Sequence, residues 1–385
     1  MDAFYVSVSL LDRPELRGLP VVVGGGARGV VLSASYEARR YGVRSAMPMG
    51  RARRLCPEAA VVPPDHTRYA EVSRGVMEVF RSVTPVVEQV SPDEAFLDVA
   101  GARRLLGDPV RIARLLRDRV ADEQGITCSV GIAAGKLVAK LASTRSKPDG
   151  LLHVPRERTV EFLHPLPVGA LWGVGERTAE QLRRLGLHTV GDLAHTPAPT
   201  LRRALGDALG QHLHDLSWGR DTRPVVGGAP ARSVSAAETF SRDVDDPDVV
   251  RRELLRLAER VAARLRATGS AGRTVSLTVR FADFTTVSRS RTLAEPTDLG
   301  RQVYATAREL YTALRLDRAR IRLVGVRVEQ LVDAGQQHHQ LTLDEWPEDW
   351  RRAEHAVDRA AARFGAGAVR PAALIATAED DRSRP

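Results

Sequence analysis

Cysteine is nearly absent. Cys56 and Cys128 stand alone, with no CxxC and no paired histidine spacing, which reads as buried reduced thiols rather than a zinc site. Long hydrophobic runs are missing too. None reaches the ~18 residues a membrane span needs, and the N-terminus has neither a basic lead nor an apolar signal core. The expectation is a cytoplasmic protein with no membrane contact. Internal repeats are lacking. Lysine is the sharpest scarcity: of 57 basic residues only Lys136, Lys140 and Lys147 are lysines, all within "GKLVAKLASTRSKPDG". Arginine dominance reflects a GC-rich genome. The three survivors either mark positions that want a compact ammonium or cluster by chance.

What is present is positive charge and a mixture of short strands and helices. A net charge of +9 points to a polyanion partner, or simply to a soluble basic protein. The 385 residues suggest two to four domains. At the start, "MDAFYVSVSL" alternates Phe4, Val6, Val8 and Leu10 with polar residues, which predicts a half-buried strand. "VVEQV" and "EAFLDV" read as strands around the turn "SPD", and "GGGARG" as a turn. In "GDPVRIARLLRDRVADEQG", Asp108 and Pro109 open a helix whose face carries Val110, Leu115, Leu116 and Val120. Strands and helices do not alternate regularly, so the expected class is α+β with a largely antiparallel sheet.

Residues 155–220 read as short helices, and "DTRPVVGGAPARS" as a linker. Beyond it, "RRELLRLAERVAARLRATG" is an amphipathic helix presenting Leu254, Leu257, Val261 and Leu265. "TVSLTVRF" points Val275, Leu277, Val279 and Phe281 inward and Thr274, Ser276, Thr278 and Arg280 outward. "RIRLVGVRV" slips phase at Val324-Gly325, as at a bulge. "RDVDDPD" lacks the glycine and terminal glutamate of a calcium loop and reads as a helix cap. The last fifty or so residues read as a polar tether and one more helix.

Three stretches carry candidate chemistry. Asp93 and Glu94 can converge on one ion only where the backbone turns, and Pro92 supplies a turn. They make a Mg²⁺ site for phosphate chemistry or a plain hydrophilic hairpin tip; the residues alone leave both open. Tyr36 and Arg39, three apart on the first turn of a helix, suit a triphosphate or a solvated face. Gly173 and Gly175 in "LWGVGERT" form a tight hairpin whose amides can hold a DNA phosphate without reading sequence, unless they only cap a helix.

In sequence order, "MDAFYVSV", "PELRGLPVVVGG", "SYEARRYGVRSAMP", "SPDEAFLDV", "SVGIAAGKLVAKLAS", "SKPDG", "LWGVGERT" and "LHTVGDLA" resemble the Y-family DNA polymerases, in the bacterial DNA polymerase IV group. The resemblance implies an α+β multidomain right hand. Its parts are an antiparallel-sheet palm (1–3 and 65–154), small fingers (4–64), a helix–hairpin–helix thumb (155–221), a linker (222–231), an α+β little finger (232–331) and a tail (332–385). It implies translesion synthesis by a monomer, which adds dNTPs to the primer of a primer–template DNA with two Mg²⁺ ions. Asp93 and Glu94 resemble the metal-binding and catalytic acids, and Tyr5, beside Phe4, the steric gate against ribonucleotides. Ser33, Tyr36, Arg39 and Lys147 match nucleotide-binding positions. Gly173, Gly175 and the sheet residues Arg280, Arg289 and Arg291 would meet DNA. "QLTLDEW" resembles a sliding-clamp-binding peptide through Gln340, Leu341 and Leu343, although Asp344 stands where an apolar residue is usual. The other reading is a plain tether.

One departure concerns the metal site. The family carries a third ligand, an aspartate, immediately before the residue matching Met1, and Asp2 matches the next acid, which is not that ligand. Ser9 also replaces a usual acid. The expectation is a reading frame that begins upstream and ends its added strand in aspartate. The competing reading is a catalytically silent relative acting as a DNA- and clamp-binding adaptor. Such an adaptor has no physical need for Asp93, Glu94, Tyr5, Tyr36, Arg39 and Lys147.

Overall fold

The computed structural model describes residues 1–26, 28–228, 231–336, 347–365 and 367–375. The chain divides into two compact units, Met1–Ala229 and Pro230–Pro385.

In the first unit Phe4–Ser9 is a helix, not the strand that the alternation predicts. Phe4 and Val8 lie one turn apart with Val6 opposite, and all three are buried. A helix packed on both sides mimics a strand's alternation, and six residues are too few for the 3.6 period to declare itself. Ser7 and Ser9 satisfy their hydroxyls locally, donating to Asp2 O (2.6 Å) and Tyr5 O (2.8 Å).

A small sheet follows, with Val21–Val23 between antiparallel Ser33–Ala34 and parallel Ala60–Val62. The "SPD" turn is where expected, joining Val87–Ser91 to Glu94–Leu97 as an antiparallel hairpin. The next pair, Val130–Ile132 and Leu151–His153, is parallel, so among the described strands of this unit antiparallel pairing is found in the hairpin and in Val21–Val23 with Ser33–Ala34, beside two isolated bridges. Helix Lys136–Arg145 provides the crossover that a parallel pair requires. Only a glycine allows that helix its position: a Cβ on Gly131 would lie 2.0 Å from Ala139 O.

Asp108 caps helix Pro109–Gln124 by accepting from Val110 N and Arg111 N. Its buried stripe is Ile112, Ala113, Leu116 and Val120; Leu115 and Val110 flank it, because angular position rather than hydrophobicity decides which side chains face the core. Residues 155–221 are short helices, as expected, and share one core with Leu137 and Leu141 of the Lys136–Arg145 helix.

The second unit is a four-stranded antiparallel sheet in the order Thr286–Thr297, Ser270–Phe281, Ile321–Asp333, Ser233–Val244. Helices Pro247–Ala267 and Gly300–Ala313 cover one face, and Asp246 caps the first. The expected Leu254, Leu257, Val261 and Leu265 are buried. The register slips between Ile321 and Leu323, not at Val324-Gly325: Val324, Val326 and Val328 already alternate inward, so the extra residue precedes them.

Helix Pro347–Phe364 packs back through charge. Arg266, 3% exposed, pairs with Glu354 and with Asp358 (2.6 Å). Glu354 also accepts from Gly300 N at 2.9 Å. Burial, then the neighbouring Glu354, pushes the Glu259 carboxyl from 4.5 up to about 6, against the attraction of Arg266. A raised acid stabilises the fold fully below its unfolded pKa and loses that contribution as pH rises through about 6. Glu259→Gln is therefore expected to unfold at higher urea than wild type at pH 8, with the gap closing towards pH 4.5. Urea titrations at several pH values read this directly.

Candidate active site

Met1 and Asp2 form the hub of the site. Met1 N donates to Asp93 O at 2.7 Å, and Lys147 Nζ donates to Met1 O at 3.1 Å. The Asp2 carboxylate, 2% exposed, accepts from Ser129 Oγ at 2.8 Å and Asp149 N at 2.9 Å. These bonds tie it into the fold. The hub thus ties the carboxylate turn to Lys147.

At that turn Asp93 Oδ1 accepts from Ser91 Oγ (2.7 Å) and Glu94 Oε2 from Lys140 Nζ (2.6 Å). The second oxygen of each carries no hydrogen bond among the described residues. No group of three His, Cys, Asp or Glu among the described residues is placed to hold a metal. The two carboxylate oxygens left without a hydrogen bond are nevertheless hard donors of the kind Mg²⁺ prefers.

The short opening helix places Tyr5 half-buried against Tyr69, ring centroids 4.8 Å apart. Burial first, then the Asp93 charge, raises the Tyr5 hydroxyl above its ordinary range, so Tyr5 and Asp93 share one environment. Phe4 does not reach the site; it is buried in the core beside Tyr5 and Tyr69.

Ser35 caps helix Tyr36–Arg40, its Oγ accepting from Ala38 N at 3.2 Å. The Arg39 guanidinium lies over the Tyr36 ring, 4.6 Å from its centroid, while its Nε donates to Ala34 O. The Tyr36 hydroxyl is enclosed and has no partner at bonding geometry. Burial, then the nearby Asp2 carboxylate, pushes it above its ordinary range, against the pull of Arg39. An orphaned hydroxyl beside a guanidinium suits a ligand with acceptor oxygens. Ser33 is buried in its strand, opposite Val23.

Gly173 (φ 96) takes a conformation that favours glycine, and Gly175 leads into helix Glu176–Arg184. Nothing lies within 4 Å of a Cβ built at either, so both face open space. In the second unit Arg280 stands on the open face, its Nε 3.0 Å from Thr286 Oγ1. Arg289 and Arg291 pair across from Leu277 and Val275 and so stand on the helix-covered side of an exposed edge strand, Arg291 bonded to Glu309. The open Arg/Ser/Thr face carries Arg327 instead, which the sequence reading passed over although it alternates with Val326 and Val328. Gln340, Leu341 and Leu343 lie outside the described residues. Among the described residues no helix is long and apolar enough to cross a membrane.

Motif reading also missed a layer behind the carboxylates: Glu88, Phe96, Lys136, Lys140, Trp172, Asp221 and Arg223. The three clustered lysines and the tryptophan before Gly173 were its visible traces.

If Asp2 serves the fold, Asp2→Ala should strand the Ser129 hydroxyl and the Asp149 amide and cost about 1–3 kcal/mol of stability. A fall in the urea midpoint is the expected result; unchanged stability would assign Asp2 to ligand binding instead.

Comparison with known proteins joins the parts. Residues 1–144 match the impB/mucB/samB family, 231–343 that family's C-terminal domain, and 169–221 the DNA polymerase-iota thumb domain. DNA polymerase IV of Desulfatibacillum aliphaticivorans is 45% identical over 378 residues, 97% of this chain and 95% of its own. DNA polymerase IV of Streptomyces coelicolor is 45% identical over 340 residues, 88% of this chain and 71% of its own. A solved Y-family DNA polymerase chimera of Dbh and Dpo4 matches with a TM-score of 0.79 at 25% identity, covering 86% of this chain and 97% of that one. Identity at this level over nearly the whole length, on a matching fold, means that the chain belongs to the Y family of DNA polymerases, in its bacterial DNA polymerase IV group.

Proposed function

We propose that the chain is a template-directed DNA polymerase of the translesion type, extending primer–template DNA with dNTPs. The observation that carries this reading is the unpartnered Tyr36 hydroxyl under Arg39, joined through the Met1–Asp2 hub to Asp93, Lys147 and Tyr5. Tyr36, Arg39 and Lys147 offer donors to a triphosphate, with Ser33 beside them. Tyr5 walls the sugar side and excludes a ribose 2′-hydroxyl by volume. Asp93 and Glu94 would hold the divalent ions, two Mg²⁺, whose charge would stabilise the phosphoryl group being transferred.

Charge distribution supports the DNA contacts. Residues 4–64 hold nine arginines against four acids, and residues 232–331 nineteen against thirteen. Residues 155–221 hold eight of each, so a thumb with no net charge would grip phosphates through hairpin amides at Gly173 and Gly175. Arg280, with Arg289 and Arg291 at the sheet edge, would add phosphate contacts. Gln340, Leu341 and Leu343 would give the enzyme, acting as a monomer, a sliding clamp as partner.

Asp93→Ala or Glu94→Ala should abolish primer extension, because metal-held charge stabilisation contributes several kcal/mol to lowering the barrier. Primer–template affinity, held by phosphate contacts elsewhere, should stay within about twofold. Extension at the wild-type rate by either variant would remove that residue from the mechanism.

Sugar choice gives an independent test. Tyr5→Ala should raise ribonucleotide use far more than it changes deoxynucleotide use, since a clash in a packed site has nowhere to relax. The measurement is the ratio of incorporation efficiencies; an unchanged ratio would refute the gate.

A further inference from the structure

Behind the carboxylate hairpin a closed chain of contacts links Glu94 to the thumb hairpin. Lys140 Nζ, donating to Glu94 Oε2 at 2.6 Å, also lies 5.2 Å from the centroid of Trp172, the residue before Gly173. Trp172 stacks on Phe96 of the carboxylate strand, centroids 5.6 Å apart and planes 25° from parallel. Its ring also receives the Arg223 guanidinium at 4.6 Å. Arg223 is held by Asp221 (2.7 and 2.8 Å), whose buried carboxylate accepts from Leu137 N at 2.9 Å and so caps the very helix that carries Lys140. On the same side Lys136, 8% exposed, bonds Glu88, whose Oε2 accepts from Val226 N at 2.7 Å. Burial opposes ionisation of Glu88, but the Lys136 ammonium and the Val226 amide prevail and hold its carboxyl below the ordinary range.

The two lysines do different things. Lys136 is enclosed and neutralises Glu88, which otherwise bonds the Val226 amide, and this is a structural role. Lys140 is part-exposed and touches one oxygen of the acid proposed to be catalytic. Its chemical identity is informative in a chain with only three lysines. An arginine fork would take both carboxylate oxygens in a bidentate pair, whereas a single ammonium takes one.

We infer that Lys140 is a positioning residue: it holds Glu94 by Oε2, leaves Oε1 to the reaction, and is itself set in place by Trp172 of the thumb hairpin. This rests on the catalytic reading of Glu94. The consequence is that the hairpin proposed to grip the duplex also fixes the rotamer of an acid at the reacting centre. A small misplacement of such a group is enough to slow chemistry about 10²-fold.

Zero-length cross-linking tests the contact without any turnover. A carbodiimide activates the Glu94 carboxyl, the Lys140 amine displaces it, and an amide forms with release of the urea. In DNA-free wild-type protein the Lys140–Glu94 amide should be found by peptide mass spectrometry. Trp172→Leu, which keeps bulk but removes the π face, should lower its yield about threefold or more. Single-turnover extension supplies the second readout. Lys140→Met and Lys140→Arg should each lose about tenfold or more in rate at saturating dNTP, with DNA affinity and urea midpoint near wild type. Adding Trp172→Leu to Lys140→Met should cost less than the product of the two single losses, since Trp172 reaches Glu94 through Lys140 even though it also contacts Phe96 and Arg223. Lys136→Met should instead lower the urea midpoint. A wild-type rate in Lys140→Arg, an unchanged cross-link in Trp172→Leu, or multiplicative losses in the double variant would each overturn the inference. Glu94→Gln separates the two levels: an active Glu94→Gln removes the catalytic reading of that residue, whereas an inactive one with a normal Lys140→Met removes only the role of Lys140.

Discussion

The site depends on one buried charge. Asp2 keeps its carboxylate out of water, and the cost of that desolvation is offset because, besides the longer bond from Thr127 Oγ1, a hydroxyl and an amide from distant parts of the chain converge on it. Those partners belong to Ser129, which precedes strand Val130–Ile132, and to Asp149, which precedes strand Leu151–His153. Asp2 therefore fixes the start of the chain against the parallel pair. Met1 is then within reach of Asp93 and Lys147, and the helix that follows delivers Tyr5. Its negative charge also faces the enclosed Tyr36 hydroxyl. Tyr5, Tyr36, Lys147 and Asp93 are thus gathered around a single satisfied anion.

Local chemistry made much of this legible. Asp108–Pro109 and Asp246–Pro247 announce helix starts, because a side-chain acceptor followed by a residue without N–H resolves two orphan-donor problems at once. Pro92 marks the turn between the strands that end at Ser91 and begin at Glu94. What failed was whatever depended on neighbours. The Phe4–Ser9 helix is buried on both sides, so its hydrophobic pattern carries no angle. The faces of Arg289 and Arg291 depend on register against Leu277 and Val275, which composition does not encode. The slip near Arg322 shifts by two residues because Leu323 is apolar yet only half-buried.

The lysines show a third category, a signal visible in the sequence whose meaning needed coordinates. All three lie in segments that match the family, but the resemblance gives a role to Lys147 alone. Lys136 and Lys140 lie four apart on one helix and face Glu88 and Glu94 of two paired strands, a correspondence that exists only once helix and hairpin are stacked. Gly131 makes that stacking possible by letting the helix backbone rest directly on the neighbouring strand.

The helix Pro347–Phe364 bears on where the chain tolerates being shortened. Arg266 is almost fully enclosed, and its partners Glu354 and Asp358 both come from that helix. Glu354 also supplies the acceptor for the amides that begin helix Gly300–Ala313. Cutting the polypeptide ahead of Pro347 thus does more than trim a tail. It removes two carboxylate partners of a buried guanidinium, leaving it the Asp298 carbonyl, and uncaps a core helix, so a C-terminal fusion or affinity handle belongs after this helix rather than in place of it.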